Sequence, residues 1–132
     1  MNQILKIQLQ VLSKMSLKKN SEIQFIKGNE GTQIKQYFHP ENTQNGINYS
    51  LAQFTLESGK KSTPHKMKSS EIYYILEGIA IIHIGKEVLT LSKDDSAYVA
   101  PMSLQFIENV GKNDLRFLCI VEPSWKQEDE IL

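Results

Sequence analysis

The stretch PHKMKSSEIYYILEG, residues 64–78, contains two side chains whose types and spacing could do chemistry, His65 and Glu71. Imidazole nitrogen and carboxylate oxygen are donors that bind Zn, Mn, Fe and Ni ions in proteins. The same two groups could instead act as an acid/base pair on a bound molecule. Met67 stands two residues after His65, where a second ligand would be expected, and its neutral thioether is a poor ligand for Mn, Zn or Fe(II). The stretch therefore leaves open a metal site that lacks one ligand and a pocket without metal.

Strands are predicted to carry these side chains. The run EIYYIL, which begins at Glu71, consists of strand-forming residues. Because side chains alternate along a strand, Glu71, Tyr73 and Ile75 are expected to share one face. Further along the chain, Gln105 and Ile107 share one face of LQFIEN for the same reason. The sequence thus predicts two strands that each present polar and apolar groups on one side.

Short strands are predicted along most of the chain. About nine or ten apolar runs, spaced about 8–15 residues apart, are separated by turn-rich segments such as HPENTQNG and NVGKND. No helical periodicity interrupts them between residues 20 and 120, so an all-β sandwich or barrel is expected. The predicted strands are LKIQLQV (5–11), IQFI (23–26), QIKQYF (33–38), INYSLAQFTL (47–56), EIYYIL (71–76), IAIIHI (79–84), EVLTL (87–91), SAYVA (96–100), LQFIEN (104–109) and LRFLCIV (115–121).

One domain is expected over residues 1–132, because this length suits one compact core. It divides into an N-terminal strand or arm (1–22), a barrel (23–121) and a C-terminal tail (122–132). In the tail, Ser124 followed by Gln127 resembles a capping box, which predicts a short C-terminal helix. Both Met1 and Met15 are compatible with a start of translation.

The loop and strand around His65 follow a recognisable order. From Gly59 the order is five residues, His65, one residue, Met67, three residues, Glu71, six residues and Gly78. This resembles the first motif of the cupin superfamily, which has a second histidine where Met67 stands.

The downstream stretch DDSAYVAPMSLQFIENVG resembles the second cupin motif. Asp95, Pro101 and Asn109 match the aspartate, proline and asparagine of that motif, and Gln105 stands where the family has its third histidine. The two motifs together cover residues 59–111.

The resemblance implies a double-stranded β-helix (jelly-roll) barrel of the small cupin type, with ligands clustered inside its mouth. Metal-binding cupins hold Mn, Fe, Ni or Zn with three histidines and one glutamate, and the corresponding positions here are His65, Met67, Glu71 and Gln105. Glutamine serves as a ligand in the phosphomannose isomerase branch, although at a different ligand position. Two alternatives stay open: His65, Glu71 and Gln105 hold a divalent metal with water completing the shell, or they hydrogen-bond one another or a polar ligand in a metal-free pocket.

Apolar and aromatic side chains are expected to line the rest of the pocket. Polarisable and aromatic surface with a few polar groups is the usual composition of a small-molecule site. Four lysines, at positions 60, 61, 66 and 68, flank His65 and form either a solvated loop or a positive rim that attracts an anionic ligand. The candidate lining residues are Met67, Tyr73, Tyr98, Ile107 and Trp125.

The charge balance, the lengths of the apolar runs and the cysteine count restrict the partners and the compartment of the protein. Lys+Arg and Asp+Glu both number 15, and this balance argues against a general binder of nucleic acid or of anionic membranes. The longest apolar runs, such as FLCIV, are too short to span a membrane, and the N-terminus is a poor signal peptide. Cys119 is the only cysteine, so no internal disulfide can form and a reducing cytoplasm is the expected compartment.

A homodimer is expected from the outward faces of two strands. If Ala80, Ile82 and Ile84 face the barrel interior, then Ile79, Ile81 and His83 face outward, and such apolar surface is usually covered. FLCIV is apolar on both faces, and the resemblance to cupins points to pairing as well.

Three functions are compatible with these residues. The first is a small-molecule-binding cupin with a reduced divalent-metal site, acting as an isomerase, lyase or oxygenase, in which Glu71 and Tyr73 are the catalytic groups. The second is a metal-free enzyme that uses Glu71 and His65 as acid and base. The third is a metal-free, non-catalytic ligand-binding or sensory module. Fold alone does not choose among them.

Overall fold

The computed structural model describes residues 3–4, 16–28, 31–44 and 46–132, except for the side chain of Gln127. These residues form eleven short strands, as expected for an all-β chain. The predicted strand at 5–11, and with it most of the N-terminal arm, lies outside the described residues. In chain order the strands are β1 (Ile26–Lys27), β2 (Gln33–Phe38), β3 (Ser50–Leu56), β4 (Lys66–Met67), β5 (Ser70–Glu77), β6 (Ala80–Ile84), β7 (Glu87–Leu91), β8 (Ser96–Val99), β9 (Gln105–Asn109), β10 (Leu115–Glu122) and β11 (Glu130–Ile131).

Two antiparallel sheets form the jelly roll. The larger has the strand order β1-β2-β3-β10-β5-β8, and the smaller has the order β7-β6-β9. Strands that are distant in sequence are neighbours in the larger sheet, because β10 pairs with β3 on one side and with β5 on the other. A separate two-stranded ribbon joins β11 to β4. The predicted jelly-roll barrel is confirmed.

Alternation along β5 decides which side chains reach the interior. Glu71, Tyr73 and Ile75 are buried, whereas Ile72 and Tyr74 between them are exposed. The inward face of β5 packs on β10, where the ring of Phe117 stacks on that of Tyr73 with the centroids 5.4 Å apart. This packing fixes the position of the Tyr73 ring. The shared face of Glu71, Tyr73 and Ile75 was predicted correctly from period two.

The smaller sheet completes the core from the opposite side. Ala80 and Ile82 of β6 are fully buried, and they belong to the same apolar cluster as the inward residues of the larger sheet. Ile79 is exposed, and His83 is half-buried, with Nε2 2.7 Å from Oε2 of Glu108. The inward and outward faces of β6 are therefore those that the sequence predicted.

The C-terminal tail differs from the prediction. The short helix expected after Ser124 is replaced by a three-residue 3-10 turn, Gln127–Asp129, and by β11. Glu130 pairs with Met67 and Ile131 with Lys66, so hydrogen bonding to β4 holds the chain extended where a helix would have continued. No helix among the described residues is long and apolar enough to cross a membrane.

Candidate ligand-binding site

A small cavity lies between the sheets and under the C-terminal tail. Its lining comes from the residue before β2, from β3, from β4 and the loop before it, from the inward faces of β5, β9 and β10, and from the tail. Measured to the centre of a water molecule, the cavity volume is about 10 Å³, which is room for a single water. Its polar side chains are Thr32, Ser62, His65, Glu71, Tyr73 and Glu130, and its apolar side chains include Phe54, Met67, Ile107, Phe117 and Trp125.

His65 is held to β9 by its own backbone. Its N–H donates to Gln105 O at 3.0 Å and its carbonyl accepts from Gln105 N at 2.9 Å. The ring is buried, with Nδ1 2.8 Å from the carbonyl of Thr63. Because a carbonyl only accepts, Nδ1 carries the proton, and in the neutral ring Nε2 is then the acceptor or metal-binding nitrogen.

Glu71 and Tyr73 reach the cavity from the inward face of β5, where both are buried. The Tyr73 hydroxyl donates to Oε1 of Gln105 at 2.5 Å, so the amide oxygen proposed as a metal donor is engaged by a phenol.

The neighbouring Tyr74 is on the outer face, and its hydroxyl donates to Oδ1 of Asp94 at 3.0 Å. That hydrogen bond, with smaller contributions from burial and the Asp94 charge, raises the pKa of Tyr74 above its ordinary value.

The donor set does not fit a divalent metal as the side chains stand. Among the described residues, no three His, Cys, Asp or Glu side chains come together in a way that could hold an ion. His65 and Glu71 are the conventional ligands, while the Gln105 oxygen accepts from Tyr73. Met67 is 2% exposed and brings only a thioether to the position of the second family histidine.

The structure brings most of the predicted pocket residues together and leaves one out. Met67, Tyr73, Ile107 and Trp125 line the cavity. Tyr98 does not: it is 61% exposed on the outer face of β8. Val99 points into the core, so alternation turns the preceding residue outward, and the prediction for Tyr98 is corrected.

Glu130 is a lining residue that the sequence reasoning missed. It comes from β11, and Nε1 of Trp125 donates to its Oε1 at 2.6 Å. No motif marks this residue, because a two-residue strand has no periodicity and its partner, β4, lies more than sixty residues earlier in the chain.

The ionisable groups inside the cavity differ from those of the surrounding loop. Lys60, Lys61, Lys66 and Lys68 are exposed, and none of the described residues that line the cavity is Lys or Arg. The ionisable groups on the lining are two carboxylates, Glu71 and Glu130, one imidazole and one phenol. The lysines are therefore part of a solvated loop around the site rather than of the site itself.

Several residues of the two motifs hold loops. Asn109 is buried, and its side chain donates to Leu56 O and Asn113 O and accepts from Gly111 N. Asp95 caps the turn before β8 through its Oδ2, which accepts from Ser92 N at 2.8 Å. Asn109, the last residue of β9, thus holds the end of β3, and both of these strands carry lining side chains.

Residues 52–121 match the cupin domain family. Over 105 residues the chain is 38% identical to the uncharacterized protein MJ1618 of Methanocaldococcus jannaschii, covering 78% of this chain and 83% of that protein. It is also 25% identical over 119 residues to the mannose-1-phosphate guanylyltransferase RfbM of Salmonella typhimurium, covering 83% of this chain but only 25% of that protein.

Solved structures show the same architecture. The crystal structure of a predicted oxalate decarboxylase from Thermotoga maritima superposes with a TM-score of 0.67 at 25% identity, covering 80% of this chain and 97% of that one.

Proposed function

Since this chain belongs to the cupin family, we propose that it binds a small molecule between His65, Glu71 and Tyr73 without needing a resident metal. The observation that carries the proposal is the lining of the cavity: polar side chains converge there beside apolar and aromatic ones, and small-molecule sites generally combine such groups. Met67, in place of a histidine, adds polarisable apolar surface at the same point.

The proposed ligand carries hydrogen-bond donors and is neutral or positively charged. The carboxylates of Glu71 and Glu130 accept hydrogen bonds and favour positive charge, and the aromatic faces of the lining favour a cation in addition. Oxalate, which the name of the Thermotoga relative contains, would bring two negative charges against these carboxylates. We therefore do not expect a small dicarboxylate to be the ligand.

A metal site with fewer protein ligands than the cupin motif provides is the second candidate. Such a site would serve an isomerase-, lyase- or oxygenase-like function. His65, Glu71 and Gln105 are all buried, and His65 and Gln105 are direct neighbours across a β-bridge. Such a site would need the Gln105 oxygen to exchange Tyr73 for an ion of Zn, Mn, Fe or Ni. Tyr73 would then be released as an acid/base group.

One thermal-denaturation experiment separates the two candidates. Three samples are compared: untagged protein purified without chelators, the same protein treated with chelator, and the same protein supplied with Mn or Zn. The melting temperature of each sample is measured with small amines, amino alcohols, neutral polyols and size-matched carboxylates. We expect amines or neutral donors to stabilise the chelator-treated protein, by about 2.7 kcal/mol when the ligand is 100-fold above its Kd.

Two variants accompany that experiment. Glu71→Gln should lose the preference for amines, whereas Glu87→Gln, an exposed carboxylate on β7, should keep it. Stabilisation that requires metal, together with a near-stoichiometric metal content that disappears in Glu71→Ala, would replace the proposal by the second candidate. A larger response to carboxylates than to amines would contradict the proposed ligand class.

A homodimer in the cytoplasm is the rest of the proposal. The outer faces of β5, β8 and β10 expose Ile72, Tyr98 and Ile120 at 44%, 61% and 43%, and these residues are neighbours across the strands. A second copy of the chain would cover this surface. The buried single thiol of Cys119 is compatible with a reducing compartment.

A further inference from the structure

The segment that covers the cavity, Ser124–Leu132, is attached firmly at its beginning. We call it the closing segment. Ser124 N donates to Asn48 O at 2.8 Å, and Trp125 N donates to Ser50 Oγ at 2.9 Å. The Trp125 carbonyl accepts from Nε2 of His39 at 2.7 Å. These bonds fix the first two residues of the segment to the barrel.

The far end of the closing segment is joined to the barrel by a short ribbon. After the turn Gln127–Asp129, β11 pairs with β4 at two positions only. Ile131 and Leu132 are 44% and 67% exposed, so both keep much of their surface in water. A chain end with a short hydrogen-bond ladder and exposed apolar residues is one that opens locally at low free energy.

One side-chain hydrogen bond joins the two ends of the closing segment across the cavity. Trp125 Nε1 donates to Glu130 Oε1 at 2.6 Å, and both side chains line the cavity. The acceptor is a carboxylate, and a charge-assisted hydrogen bond is stronger than a neutral one. We call this pair the Trp125–Glu130 latch.

The closed cavity has room for a single water, so a ligand of several heavy atoms cannot fit beneath the segment as it lies. We propose that the closing segment is a gate, that the Trp125–Glu130 latch holds it shut, and that Glu130 contacts the ligand when the gate closes again. The gate rests on the proposed binding function, but the experiment below tests the opening of the segment in the absence of any ligand.

Hydrogen peroxide is a suitable probe, because oxidation of a methionine to its sulfoxide follows exposure of the thioether. Met67 pairs with Glu130 of β11, lines the cavity and is 2% exposed, whereas Met102 is 49% exposed and serves as a reference within the same chain. The rate of sulfoxide formation at each methionine is measured by mass spectrometry on the full-length protein.

Two variants break the latch from either side. Trp125→Phe keeps an aromatic ring but removes the donor, and Glu130→Ala removes the acceptor. Glu128→Ala removes an exposed carboxylate from the same segment and is the matched control. We expect the Met67 rate, relative to Met102, to rise about fivefold or more in both latch variants and to stay unchanged in Glu128→Ala.

The reactivity of Cys119 reports unfolding of the whole barrel, because this thiol is 1% exposed. It should stay at the wild-type rate in all three variants. The gate is wrong if Met67 in the wild-type protein reacts as fast as Met102, or if neither latch variant changes the ratio. It is also wrong if the Met67 and Cys119 rates rise together, because the exposure would then come from global unfolding.

Hydrogen exchange on the wild-type protein tests the gate without any substitution. The amides of the β4–β11 ribbon should exchange faster than those shared by β5 and β10, and equal protection would contradict a gate. The ligand experiment on the wild-type protein then separates the two ideas: fast exchange in the ribbon with no ligand response counts against the proposed function and leaves the gate intact.

Discussion

Asn109 shows how a motif residue can act through structure. Its amide group makes hydrogen bonds to three backbone groups, one at the last residue of β3 and two in the loop between β9 and β10. Asn109 is 2% exposed. A shorter side chain at this position would therefore leave the three backbone groups without a hydrogen-bond partner. The match to the second cupin motif at this position therefore reflects the clamping of loops at one end of the barrel.

We predict that Asn109→Ala lowers the free energy of unfolding by about 1–3 kcal/mol, the cost of leaving buried polar groups unsatisfied. Urea denaturation followed by far-ultraviolet circular dichroism measures this. Asn113→Ala is the control, because Asn113 contributes its backbone carbonyl and should change stability by less than about 0.5 kcal/mol. Equal effects of the two substitutions would show that the hydrogen bonds of the Asn109 side-chain amide do not contribute to stability.

The sequence predicted the site unevenly at the residue scale. Period two placed Glu71 and Tyr73 on one inward face, and the spacing of the motif brought His65 beside them. Alternation alone cannot say which face of a short strand is inward, and Tyr98 was assigned to the wrong one. The contribution of Glu130 depends on a pairing between distant segments, which no local pattern encodes.

At the scale of elements, the joint between β5 and β6 depends on the absence of a side chain. Gly78 has φ +98°, and a Cβ there would lie 3.2 Å from Leu115 Cα and 3.3 Å from Asp114 O. Both neighbours are backbone atoms and cannot move aside alone. The last glycine of the first motif thus lets β5 turn closely past the start of β10.

We predict that Gly78→Ala lowers the free energy of unfolding by about 1–3 kcal/mol, the usual cost of forcing a side chain into such a backbone conformation. Gly85→Ala is the comparison, because Gly85 also has a positive φ, +58°, but nothing within 4 Å of the added Cβ. The Gly78 variant should be the less stable of the two in thermal denaturation. A reversed order would contradict the close approach to β10.

Strand prediction succeeded where runs of residues are long and alternate clearly. β2 and β7 coincide with the predicted segments 33–38 and 87–91. It failed in the tail, where a capping pattern after Ser124 favoured a helix, yet pairing with β4 formed β11. Tertiary hydrogen bonds override weak local propensity most easily in a segment this short.

For the whole molecule, the outer face of the larger sheet is the notable surface. Ile120 pairs with Ile72, and Ile72 pairs with Tyr98, so three exposed apolar side chains lie side by side across β10, β5 and β8. The zero formal net charge of the chain does little to oppose association. This surface is where we expect a second copy to pack.

We predict that Ile120→Lys converts a dimer into a monomer, because a lysine in this apolar interface would be buried without a partner. Light scattering coupled to size-exclusion chromatography should show the mass falling from twice 15.1 kDa to 15.1 kDa. Val88→Lys, at an exposed position of β7 in the smaller sheet, should stay dimeric. A wild-type protein of 15.1 kDa would contradict the proposed pairing.

Trp125 is the only tryptophan of the chain, and its indole N–H is one half of the latch. The tryptophan fluorescence of the protein therefore originates from one residue, whose surroundings change when the closing segment moves. Emission should shift to longer wavelength as the indole meets water, and back again when a ligand is enclosed. An optical titration of unlabelled protein would then follow binding and closure in a single signal.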